Sequence, residues 1–161
     1  MPHTDNRETQ TVLRHWQEDV PDDRLAHLIR DAGRVLTKSL QIRLTEHSVS
    51  FGHWSFLRIL WVTEGLTQRE LSEQAGLMEP TTFTALKAME AKGLIVRRQL
   101  NGNRKNIHIY LTEKGRNLKK FLIPLAEEVN DIAVQGVECE DLRVTRRTLL
   151  KIISNLAEDN K

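Results

Sequence analysis

The stretch GLTQRELSEQAGLMEPTTFTALKAMEAKG, residues 65–93, decides the fold. Thr67 and Glu70 stand in the T-x-x-E spacing of a capping box, in which the threonine hydroxyl serves the N3 amide and the glutamate reaches back to the cap amide. Leu66 and Leu71 flank them at the spacing of a hydrophobic staple, so a helix starts here. Gly76 stops it after about two turns, because glycine takes the left-handed C-cap geometry, and Leu77 supplies the hydrophobic contact that accompanies it. Pro80 suits the first position of the next helix, which carries Phe83, Leu86 and Met89 on one side and ends at Gly93. A short helix, a glycine turn and a second helix predict a helix-turn-helix.

Directly downstream, Leu94 to Leu100 and Ile107 to Leu111 read as strands, the second alternating Ile107, Ile109 and Leu111 with His108 and Tyr110. They flank Asn101-Gly102-Asn103-Arg104-Lys105, and Asn-Gly favours a hairpin turn, so a two-stranded ribbon with a basic tip is expected. Upstream, Gly52 to Val62 is apolar almost all round, as suits a buried central helix. Farther out, Leu25, Leu28, Ile29, Ala32, Leu36 and Leu40 mark an amphipathic helix from Asp22 to about Leu44. Beyond the ribbon, Thr112 can cap a long helix containing Phe121, Leu122, Leu125 and Val129, with a kink at Pro124. Leu142, Leu149, Ile152, Ile153 and Leu156 form the stripe of a last helix. Residues 1–20 show no sustained periodicity and read as an arm, mobile or bound to a partner, with Trp16 favouring packing on a second subunit.

The 161 residues, 39% of them hydrophobic, suffice for one domain with extensions. No apolar run reaches the roughly 18 residues needed to cross a bilayer, and Met1 to Gln10 is too polar for a signal peptide, so a cytoplasmic protein is expected. The single Cys139 excludes an internal disulfide. Net charge is only +2, but Thr67 to Lys120 holds eleven Lys and Arg against five Asp and Glu. The middle of the chain is therefore its basic face.

On a helical wheel, Thr81, Thr84, Ala85, Ala88 and Lys92 fall opposite Phe83, Leu86 and Met89. A merely solvated face would carry more Glu, Lys and Gln, whereas small Thr and Ala side chains let a backbone approach a major groove and offer methyls and hydroxyls to base edges. Helix propensity is the alternative reason for the alanines. Arg104 and Lys105 at the ribbon tip suit an adjacent minor groove, and Arg97 and Arg98 suit phosphates.

Residues 51–115 resemble the MarR family of bacterial regulators. The carriers are Gly65-Leu66-Thr67-Gln68-Arg69-Glu70-Leu71, Pro80-Thr81-Thr82, Met89-Glu90-Ala91-Lys92-Gly93-Leu94-Ile95 and Tyr110-Leu111-Thr112-Glu113-Lys114-Gly115. The resemblance implies a homodimer held by its terminal helices, two winged domains on a palindromic operator, and release from DNA by small aromatic acids or phenols. It departs from the pattern at Thr84, where many relatives have arginine, and at Asn103, where they usually have aspartate. The resulting architecture is mainly α with a small two-stranded β-wing: arm 1–20, dimerisation helix 21–50, winged helix-turn-helix 51–115 and dimerisation helices 116–161. Candidate DNA contacts are Gln68, Thr81, Thr82, Thr84, Ala85, Lys87, Ala88, Arg97, Arg98, Asn103, Arg104 and Lys105.

Within the Gly52 to Val62 helix, Arg58 shares a face with Trp54 and Trp61. A guanidinium there needs an anion. Two readings stand: it clamps the carboxylate of an aromatic effector stacked on Trp54, with His53 a weaker contact, or it pairs with an internal Asp or Glu beside plain core tryptophans. A metal sensor would rest on His47 and His53 alone, and a thiol sensor on Cys139, which lies among Glu138, Glu140 and Asp141. A protein-binding winged helix is the remaining alternative. No phosphate loop, nucleophile elbow or paired carboxylates mark an enzyme, and no cofactor is expected.

Overall fold

The computed structural model describes residues 7–18, 24–100, 102 and 106–160. In chain order they form α1 (Arg7–Gln17), α2 (Leu25–Thr45), α3 (Phe51–Leu60), β1 (Leu66–Thr67), α4 (Gln68–Ala75), α5 (Glu79–Ala91), β2 (Ile95–Gln99), β3 (Ile107–Leu111), α6 (Glu113–Asn117), α7 (Lys119–Ala133) and α8 (Cys139–Asp159). The mainly α fold with a β-wing is what the sequence leads one to expect, with one strand more. The ribbon pairs antiparallel from Ile95 opposite Leu111 to Gln99 opposite Ile107. Leu66 and Thr67 then add a third strand by pairing with Ile109 and His108, giving the order β1-β3-β2. Two residues carry no alternation to read.

Helix α3 is the centre. Its Phe56, Leu57 and Leu60 pack with Leu44 of α2, Leu71 of α4, Leu86 and Met89 of α5, Ile109 of β3 and Leu122 of α7, all sealed from solvent. The helix expected from Thr112 onward is divided at Leu118 into α6 and α7, with Pro124 inside α7.

The N-terminal arm is corrected over part of its length. Residues 7–17 are a helix, and Trp16 lies on its own chain: its indole N–H donates to the buried Asp31 of α2 over 3.1 Å. Glu8 accepts from Arg34 at 2.8 Å and from Lys38. Val12, Leu13 and Trp16 are too few to write a long apolar stripe, so a helix fastened mainly by charge escapes a periodicity search.

No residue of α8 is buried. It faces α2 across an apolar cavity of about 530 Å³ lined by Leu28, Ile29, Leu36, Val144, Leu149 and Ile152. Among the described residues no helix is long and apolar enough to cross a membrane.

Candidate nucleic-acid interface

Both halves of the capping box form at the start of α4: Thr67 Oγ1 accepts from the Glu70 amide, and Glu70 accepts from the Thr67 amide over 2.7 Å. Gly76 at φ +66° ends the helix, with Leu77 N–H donating to the Ser72 carbonyl and Gly76 N–H to that of Glu73. This paired closure turns the chain sharply. Met78 precedes Glu79 and Pro80, and α5 begins.

Thr81, Thr84, Lys87 and Ala88 lie exposed along α5, with Ala85 half-buried between them. The Thr84 hydroxyl donates to the Pro80 carbonyl over 3.1 Å, which leaves its oxygen lone pairs facing outward as acceptors. Gln68, the first residue of α4, is half-buried.

Three assignments change. Thr82 is completely buried and donates to the Met78 carbonyl, so it joins the Leu86 and Met89 stripe at i, i+4 and i+7 and cannot touch DNA in this arrangement. Phe83, expected in that stripe, is 47% exposed, and the Arg97 guanidinium lies 6.0 Å from its ring centre. Arg97 also donates to Glu90 at 2.5 Å, so it braces β2 against α5 instead of standing free for a phosphate. Arg98 is exposed, 5.4 Å over Tyr110. Asn103, Arg104 and Lys105 at the wing tip lie outside the described residues.

A second site adjoins. Between α2, α3 and α7 a cavity of about 410 Å³ is lined by Leu40, Trp54, Arg58, Ile123, Glu127 and Val129 among others. Trp54 is buried and meets Trp61 edge to face, ring centres 5.7 Å apart. Among the described residues Arg58 has no carboxylate within salt-bridge distance, so the internal ion pair is not formed. The sequence brought Trp54 and Arg58 together correctly but gave no hint of Ile123 and Glu127, which arrive from a helix more than sixty residues downstream.

His53 is not in this cavity. It lines a groove on the opposite side of α3, with Ser50, Thr81 and Thr84. Burial, aided by the nearby Lys92 charge, holds its pKa below the usual histidine value. His47 instead stacks on Phe121, ring centres 6.2 Å apart. Among the described residues no three His, Cys, Asp or Glu side chains gather as metal ligands. Cys139 is exposed at the start of α8.

A capped helix, a tight turn, a second helix with small outward residues and an antiparallel ribbon make a winged helix-turn-helix of the DNA-binding kind. Residues 49–107 match the model of the MarR family. The chain is similar to an organic hydroperoxide resistance transcriptional regulator of Bacillus subtilis, 27% identical over 139 residues that span 86% of this chain and 93% of the relative. A MarR family regulator of Listeria monocytogenes, solved in complex with a 26mer DNA, superposes with a TM-score of 0.74 at 26% identity, covering 85% of this chain and 91% of that one. A Mycobacterium tuberculosis MarR family protein in complex with salicylic acid shares the fold, with a TM-score of 0.66 at 23% identity over 82% of this chain and 98% of that one. Over residues 49–107 the chain thus carries a MarR-type winged helix-turn-helix, and the relatives it resembles are transcriptional regulators.

Proposed function

We propose that the protein is a cytoplasmic homodimeric repressor that grips a palindromic operator and lets go when a small aromatic acid or phenol enters the Trp54–Arg58 cavity. The observation that carries this is the position of Arg58: a guanidinium with no ion-pair partner among the described residues shares a cavity walled by α2, α3 and α7 with a buried indole. A carboxylate would satisfy the guanidinium, and a ring would stack on Trp54. Because Leu57 and Leu60 of the same helix pack against α4 and α5 through the common core, a ligand there acts on the reading helix. Salicylic acid, bound by the Mycobacterium tuberculosis relative, has this chemistry.

On DNA, each subunit places Thr81, Thr84, Ala85 and Ala88 in a major groove, with Lys87 at its edge. Arg104 and Lys105 reach the flanking minor groove, and the half-sites lie about one helical turn, ~10 base pairs, apart. Arg98 and Gln68 serve phosphates.

Calorimetry with benzoates, hydroxybenzoates and pyridine carboxylates tests the effector. A coupling of about 1–3 kcal/mol, roughly 5- to 150-fold, is expected between acid and operator, equal in both directions, and Arg58→Ala should lose the ligand while keeping the DNA. An aromatic acid that binds wild type and Arg58→Ala equally would remove Arg58 as the clamp.

A further inference from the structure

The cavity between α2, α3 and α7 is lined by one charge of each sign. Trp54 and Arg58 reach it from α3 at i, i+4 spacing, and Ile123 and Glu127 reach it from α7 at the same spacing. Each helix thus presents an apolar side chain and, one turn on, an ion. No other lining residue is charged; Thr37, Ser55 and Asn130 are its neutral polar side chains.

Among the described residues these two ions are paired neither with each other nor with anything else. Arg58 has no carboxylate within salt-bridge distance, and Glu127 forms no ion pair and accepts no hydrogen bond. The adjacent Glu128 is the one that Arg43 takes, through two guanidinium nitrogens at 3.2 and 3.3 Å. Glu127 is left to the cavity.

Two opposite, separated charges in a space of about 410 Å³ set the charge of an occupant. Plain benzoate satisfies Arg58 but brings a second negative charge beside Glu127, and like charges so confined repel. A phenol satisfies neither ion with a full charge. A ring that carries an ammonium as well as a carboxylate meets both, adds no net charge and forms a charge-assisted hydrogen bond at each end. Its apolar body then lies against Trp54, Leu40 and Val129.

We propose that the ligand of this cavity is a zwitterionic aromatic acid, its carboxylate held by Arg58 and its ammonium by Glu127, and that Glu127 separates such molecules from simple aromatic acids and phenols. This rests on the reading of the Trp54–Arg58 cavity as the effector site and narrows what enters it. One carboxylate discriminates twice over, because it attracts the ammonium of the right ligand and repels a second carboxylate on a wrong one.

Calorimetry of the full chain with matched ligands tests this. The probes are meta- and para-(aminomethyl)benzoate, their hydroxymethyl counterparts, which put a neutral group of similar size in place of the ammonium, and terephthalate. Wild type should bind the better aminomethyl compound about tenfold or more tightly than its counterpart, the worth of one hydrogen bond to a charged group. Glu127→Gln should erase that difference, Glu127→Lys should reverse it and admit terephthalate, and Arg58→Ala should lose every compound. Glu127 is exposed and holds nothing among the described residues, so both of its variants should melt as wild type does. If the aminomethyl compounds gain nothing over their counterparts, or keep their gain in Glu127→Gln, the charge matching is wrong; hydroxymethyl acids that bind wild type and not Arg58→Ala then leave the effector reading standing. If neither these compounds nor plain benzoate binds wild type, both fall.

Discussion

The indole nitrogen of Trp61 donates to the carbonyl oxygen of Gly115 over 2.9 Å, locking the end of α3 to the first turn of α6. The glycine is required by a separate close approach at the same residue: a Cβ at residue 115 would overlap the Leu94 carbonyl oxygen and press on Leu111 Cδ2. Gly115→Ala should therefore destabilise the protein by about 1–3 kcal/mol or more through overpacking against backbone that cannot yield. Trp61→Phe, which loses the hydrogen bond and part of the indole's packing against Trp54, should cost about 1 kcal/mol or more. Urea unfolding of both variants checks this, and a Gly115→Ala midpoint equal to wild type would contradict it.

Thr67→Ala should cost about 1 kcal/mol, the usual worth of a helix N-cap. The partner carboxylate adds a pH signature. Hydrogen bonds from the Thr67 amide, then from its hydroxyl, hold the Glu70 pKa below its ordinary value. A depressed folded-state pKa contributes stability that is complete above the unfolded-state pKa and is lost as pH falls through the folded one. Acid titration of the melting temperature should therefore decline less steeply below the normal glutamate range in Glu70→Gln than in wild type. Identical profiles would show that the capping box adds nothing through its charge.

This box, the Gly76 turn and the β2–β3 pairing were legible because each is a local signal, written within a few residues by capping and turn chemistry. The placements of Thr82 and Phe83 were not. Thr82 falls on the Leu86–Met89 stripe by spacing, but polarity argued against burial; its hydroxyl escapes the cost by bonding the Met78 carbonyl. Phe83 looked like core by type, yet it lies outside and meets a cation. Grouping His53 with Trp54 failed for a related reason. Neighbours in sequence on a helix are about 100° apart, and a helix buried on nearly all sides gives no pattern to say which side faces what. Glu127 reaches the cavity through tertiary packing alone.

Glu90 holds Arg97, with side chains 40% and 27% exposed, so the pair is of the surface kind and Glu90→Ala should change stability by less than about 1 kcal/mol. Its larger effect should be on DNA. Removing a negative charge from the basic face and releasing Arg97 toward a phosphate should tighten duplex binding without altering sequence preference and steepen its salt dependence by up to about one unit of slope per subunit. Fluorescence anisotropy across a salt series decides it, and weaker binding would mean that Arg97 is needed where Glu90 holds it.

Leu150, Ile153 and Leu156 leave the outer face of α8 with exposures of 53%, 63% and 55%, an apolar row that a solvated helix would not carry. In the proposed dimer a twofold axis brings that row against the partner's terminal helices, so one substitution acts at two symmetric places. Burying one such side chain is worth about 1.5–3 kcal/mol, and a carboxylate in its place must also be desolvated. Ile153→Glu should thus convert a dimer to monomers at micromolar concentration, while Ile153→Leu should leave it intact. The monomer should retain the helical circular dichroism of the winged domain, whose core lies in α3 and its neighbours, yet bind the operator much more weakly, because each molecule then reaches only one half-site. Sedimentation velocity read beside operator binding separates the outcomes: a monomeric wild type would overturn the dimer, and a dimeric Ile153→Glu would move the interface away from this face of α8.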